Sequence, residues 1–156
     1  MNQRERAAFH EAGHAVVRRY FGMGIKKITI VEDDESYGRV SNRPPGDWFR
    51  PDIEIDGRRR RRIELEIMTG WAGTLAEEMH AGESEATIAG AREDINQIAN
   101  LALYASGSEE EAEAYIEWLR LRTLGILRVM WGEIEAVATA LLERETLTGK
   151  QWGLST

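Results

Sequence analysis

The chain has 156 residues, 42% hydrophobic and 30% charged, a balance that fits one globular domain and excludes a disordered or low-complexity chain. It holds no cysteine, so disulfides, thiolate metal sites and cysteine nucleophiles are excluded together, and any metal must be held by His, Asp or Glu. A formal net charge of −7 weighs against nucleic-acid binding, whose affinity comes from Lys and Arg.

Met1 to Arg6 show no apolar leader, and no apolar stretch approaches the roughly 20 residues that cross a bilayer. A cytoplasmic chain without a membrane span of its own is the expectation. Asn2 and Glu5 form a capping-box pair, and Ala8, Phe9, Ala12, Val16 and Tyr20 recur at helical spacing up to Gly22, which predicts a helix over about 3–21. Ile28 and Ile30 then alternate with Lys27 and Thr29. After a turn at Asp33 to Ser36, Tyr37 to Ser41 completes a pair of short strands. Pro44, Pro45, Gly46 and Pro51 predict a loop over about 42–56.

Ile63, Ile67, Trp71, Leu75 and Met79 share one helical stripe that ends before Gly82, and Ile95, Ile98, Ala99 and Ala102 share another that ends at Gly107. Ser108 with Glu111 caps a long helical region whose inward positions run from Ile116 to Leu141, with a break expected near 123–125 beside Gly125. Trp71, Trp118 and Trp131 are expected in the core, Trp48 beside a groove, and His80 at the surface near a helix end. Arg58 to Arg62 is expected to be a solvated helix turn paired with Glu54, Glu64 and Glu66, not a nucleic-acid contact.

His10-Glu11-Ala12-Gly13-His14 carries the chemistry, because it falls inside the first predicted helix. At about 100° per residue the two imidazoles lie about 40° apart and one turn from each other, so both can grip one cation. Glu11 lies about 60° beyond His14, too far round to be a third ligand but placed to take a proton from a water beside the cation. Imidazole and carboxylate donors suit zinc. Three His and 21 Glu would produce an HExxH pattern by accident in roughly one chain in a hundred, so the pentapeptide alone does not decide.

The wider sequence does. Phe9-His-Glu-Ala-Gly-His-Ala-Val-Val17 resembles the motif helix that opens the peptidase domain of FtsH-type ATP-dependent zinc metalloproteases. Ile25 to Ile30 and Tyr37 to Val40 resemble the two strands that follow it. Ala72-Gly-Thr-Leu-Ala-Glu-Glu-Met79 is similar to the family's Gly-Gly-Arg-Ala-Ala-Glu-Glu-Leu segment, and Gly90-Ala-Arg-Glu-Asp-Ile95 to its Gly-Ala-Ser-Asn-Asp-Leu. Leu141 to Gly149 resembles its closing motif, so the likeness runs in order from about residue 8 to 152.

The resemblance implies a zinc endopeptidase with His10, His14 and Asp94 as ligands, Glu11 as general base and Glu77 orienting a ligand histidine, with Glu78 competing for that last role. It implies a single FtsH peptidase-like domain over residues 1–156, mainly helical (α+β) with a small β-sheet. The expected substrate is an unfolded or flexible polypeptide. Relatives form hexameric rings, which implies a homo-oligomer. No Gly-x-x-x-x-Gly-Lys-Ser/Thr phosphate loop is present, so the expectation is an ATP-independent peptidase or one served by a separate ATPase partner.

Two other classes compete. Glu11-x-x-His14 and Glu77-x-x-His80 are two Glu-x-x-His pairs, as in di-iron or di-manganese carboxylate bundles, though that leaves His10 idle. A catalytically silent zinc-binding adaptor is the third possibility, and activity discriminates it.

Overall fold

The computed structural model describes residues 2–31, 39–41, 46–82, 85–150 and 152. The turn expected at Asp33 to Ser36, the start of the second strand at Tyr37 and Gly38, and Pro44 and Pro45 of the loop lie outside the described residues.

Helix α1 spans Gln3–Tyr20, and its start is fixed by the Asn2 side chain, which accepts the Glu5 N–H at 2.7 Å. Strands β1 (Lys27–Thr29) and β2 (Arg39–Ser41) pair antiparallel, as predicted. Then come α2 (Gly57–Ala81), capped by Asp56, α3 (Glu85–Tyr104), α4 (Glu109–Val129), capped by Ser108, and α5 (Trp131–Arg144). A third strand, β3 (Thr146–Thr148), pairs antiparallel with the other edge of β1, giving the order β2-β1-β3. The fold is mainly helical with a small sheet. None of the helices, among the described residues, is long and apolar enough to cross a membrane.

Two apolar clusters hold the chain together, and α2 belongs to both. Its first half supplies Ile63, Leu65, Ile67 and Met68 to a cluster completed by Ile98 and Ala102 of α3 and Leu119 of α4. Its second half supplies Ala72, Leu75 and Ala76 to a cluster with Val16 and Val17 of α1, Ile28 of β1, Ile134 and Leu141 of α5 and Leu147 of β3. The helix break falls at Met130, not near 123–125. Gly125 weakens the ladder by only about 1 kcal/mol relative to Ala, and α4 continues through it. The turn comes where the chain must swing α5 onto α1, and Met130 makes it while donating its N–H to the Ile126 carbonyl at 2.9 Å. Trp118 is not a core residue: it is 47% exposed, and its neighbour Leu119 takes the buried position. Trp71 and Trp131 are half-buried and pack against the clusters.

The approach of α1 to α2 is closer than ordinary side chains allow. A Cβ on Gly13 would overlap the Ala72 carbonyl oxygen and stand 2.7 Å from the Ala76 Cβ. Backbone cannot yield there as a flexible side chain would. Gly13→Ala is therefore expected to lower stability by about 1–3 kcal/mol, outweighing a helix-propensity gain of about 1 kcal/mol. Chemical denaturation checks this, and an unchanged midpoint would mean that the two helices part freely.

Candidate metal centre

This close contact brings three donor atoms to one point. His10 and His14 stand one turn apart on α1 and face α2, where Gly73 leaves the room they occupy. A Cβ there would strike the His14 Nε2 and come within 2.8 Å of the His10 Nε2. Asp94 arrives from α3. The His10 Nε2 is 3.1 Å from the His14 Nε2, and the Asp94 Oδ2 is 3.2 Å from the first and 3.3 Å from the second. Donors at about 2.0 Å from a tetrahedral ion are about 3.3 Å from one another, so these three atoms have the spacing of one face of such a site. Among the described residues, these three form the group of His, Asp and Glu side chains able to hold a metal ion.

The remaining imidazole nitrogens are tied down. His14 Nδ1 lies 2.7 Å from the Thr69 carbonyl, which can only accept, so Nδ1 carries a proton and Nε2 is the nitrogen turned toward the other donors. His10 Nδ1 lies 3.3 Å from the Glu77 Oε1, and the other Glu77 oxygen receives Arg6 at 3.4 Å. Carbonyl and carboxylate partners of this kind orient metal-binding histidines.

Burial works to lower the His10 pKa, yet hydrogen bonds to Asp94 and Glu77 outweigh it and push it up to about 10. Burial likewise works to raise the Asp94 carboxyl, but the hydrogen bonds from His10 and His14 hold it below its ordinary range. Glu11 differs. It is buried on α1, its Oε2 has no hydrogen-bond partner among the described residues, and burial raises its pKa against the pull of the His14 and His10 imidazoles. A buried carboxyl with one oxygen unpartnered and its pKa raised by burial is suited to accepting a proton.

All five residues singled out in the sequence, His10, Glu11, His14, Glu77 and Asp94, thus lie in or against one cluster. Thr69 and Arg6 were not anticipated. Thr69 acts through its carbonyl, which no side-chain pattern reports, whereas Arg6 sits four residues before His10 on the same stripe and was open to inference. His80 does not join the cluster: its ring stacks on Phe9 at 3.6 Å, which leaves the Glu77-x-x-His80 half of a di-iron motif without its histidine.

A family model described as Peptidase family M41 matches residues 1–106. The "ATP-dependent zinc metalloprotease FtsH" of Synechococcus sp. (strain JA-2-3B'a(2-13)) is 35% identical over 103 residues, covering 64% of this chain and 15% of that protein. The protein of the same name from Rickettsia prowazekii (strain Madrid E) is 28% identical over 191 residues, 97% of this chain and 29% of its own length. "ATP-dependent zinc metalloprotease FtsH 2" of Thermoanaerobacter sp. (strain X514) is 28% identical over 162 residues, 96% and 32%. The chain spans less than a third of these relatives.

Proposed function

The chain belongs to peptidase family M41, and from that membership and the donor geometry we propose that it is a zinc-dependent endopeptidase acting on unstructured polypeptides. His10, His14 and Asp94 would hold the zinc, with Glu77 and the Thr69 carbonyl orienting the two imidazoles. The observation that carries this reading is the triangle of donor atoms, 3.1, 3.2 and 3.3 Å on its edges. A zinc ion held there would supply Lewis acidity toward a peptide carbonyl and lower the pKa of bound water toward neutrality. Glu11 accepts the proton given up by the attacking water and passes it to the departing amine, so one carboxyl serves as base and then as acid. The Arg6 to Glu77 contact helps hold the Glu77 carboxylate against His10. A homo-oligomer and a separate ATPase partner belong to the proposal as its assembly.

Zinc analysis of protein purified without added metal, paired with casein digestion before and after chelation, tests it. One zinc per chain and activity lost on chelation are expected; two irons per chain, or digestion indifferent to chelator, would overturn it.

The 156 residues carry no phosphate-binding loop, and a folded substrate exposes an extended segment only by opening locally, at a cost that can approach its full stability of about 5–15 kcal/mol. The purified chain is thus expected to cleave casein slowly and without response to ATP, and to leave stable folded proteins intact. Electrophoresis of timed digests checks this.

A further inference from the structure

Among the described residues, the arginine run at the start of α2 divides into four with hydrogen-bond, ion-pair or ring contacts and one without. Arg58 lies over the Trp48 ring at 3.7 Å, Arg59 pairs with Asp56 at 2.7 Å and Glu54 at 3.7 Å, Arg60 donates to the Ala105 carbonyl at 3.0 Å, and Arg62 pairs with Glu66 at 2.7 Å. The pairing expected from the sequence therefore holds for Glu54 and Glu66, while Glu64 accepts instead from the Tyr115 hydroxyl at 2.9 Å. Arg61 has no such contact among the described residues. It lines a cavity of about 650 Å³ between the end of α1, the start of α2 and the end of α4. Arg122 of α4 lines it too, its guanidinium 5.4 Å from the Trp118 ring.

Among the described residues no acidic side chain lines this cavity, and its other walls are apolar or aromatic: Tyr20, Phe21, Ile126 and Val129. Tyr20 is 52% exposed and Val129 80%, so apolar surface stands uncovered beside two cations. Gly125 completes the wall from the interior of α4, where glycine costs about 1 kcal/mol relative to alanine. A Cβ built there meets nothing within 4 Å, so packing does not demand the glycine. A side chain at this position would enter the open space that borders the cavity.

We propose that this cavity is a second binding site for the polypeptide substrate, taking a carboxylate between Arg61 and Arg122 with a neighbouring apolar side chain against Tyr20 and Val129. Guanidinium forks match a carboxylate in shape and charge, and the volume lies within the range of ligand pockets. Tyr20 lies six residues beyond His14 on α1, about 9 Å along the axis. At about 100° per residue Tyr20 also points about 120° away from His14, so a chain bound at both sites would have to curve round α1, advancing about 3.3 Å per residue. The assignment rests on the peptidase reading for the identity of the ligand, not for the binding itself.

The test is fluorescence anisotropy with labelled decapeptides on the full chain carrying Glu11→Gln, so that nothing is cleaved. One peptide ends in Phe-Leu with a free carboxylate, a second is its amide, and a third is amidated with Glu before the Phe-Leu. The free acid is expected to bind about tenfold more tightly than the neutral amide, and Arg61→Gln and Arg122→Gln each to weaken it about five- to tenfold. Gly125→Leu should abolish binding while raising the melting temperature, which separates a filled cavity from a damaged fold. Arg120→Gln, on an arginine already paired with Glu117 at 2.6 Å, should leave binding unchanged. If the third peptide binds like the free acid, the site takes an acidic side chain; if like the neutral amide, it takes a chain terminus. Equal affinity for free acid and neutral amide, or wild-type affinity in both arginine variants, would overturn the proposal. Absence of zinc-dependent hydrolysis would instead sink the peptidase reading and leave this binding result standing.

Discussion

Glu11→Gln is expected to cut peptide hydrolysis by about 10² to 10⁴-fold while zinc content stays at one per chain. Glutamine keeps the shape of the side chain and removes only its ability to take and return a proton. Glu11 supplies no atom to the donor triangle, and its Oε2 has no hydrogen-bond partner among the described residues, so the change leaves the three donor atoms in place. Stability should not fall either, because burial already penalises the charged form of this carboxyl and the amide is neutral. The measurement is kcat on a labelled unstructured peptide beside zinc analysis and a thermal melt of the same preparation. Full activity in the variant would remove Glu11 from the mechanism. Loss of zinc together with activity would mean that Glu11 supports the metal and is not the base.

How far these features were legible in the sequence depended on how local their causes are. The His10, Glu11, His14 arrangement follows from helical geometry alone, and α1 delivers it because Asn2, Glu5 and Gly22 bound the helix on either side. Asp94 is different, since nothing local distinguishes it from an acid in any helix. Its role came from the family likeness, and its place beside the histidines comes from α3 packing where Gly70 meets Ile98. Strand β3 was missed because three residues are too few for an alternation to register, and its existence depends on the free edge of β1. The break at Met130 was misplaced for a similar reason. Gly125 carries the stronger local signal, but the turn is set by where α5 must cross to reach α1.

Asp94→Ala tests that non-local residue, and it is expected to lose both zinc and hydrolysis. Removing an outer partner of a ligand histidine costs about 10–100-fold in metal affinity, so deleting a donor itself should cost more than about 100-fold. Two imidazoles and water are one protein donor short of the three found in catalytic zinc sites. Competition with a chromophoric chelator measures the affinity, and Asp94→Asn, which retains one oxygen donor without the charge, should fall between the alanine variant and wild type. The fold should survive, because the Asp94 side chain is 27% exposed and its contacts are to the two histidines. Retention of wild-type zinc affinity by Asp94→Ala would transfer the third position to Glu77 or Glu78. For Glu77 that would require giving up both His10 and Arg6, at 3.3 and 3.4 Å, and so would free the His10 ring whose orientation the site needs. That double cost is the reason to expect Asp94, and not Glu77, to fill the position.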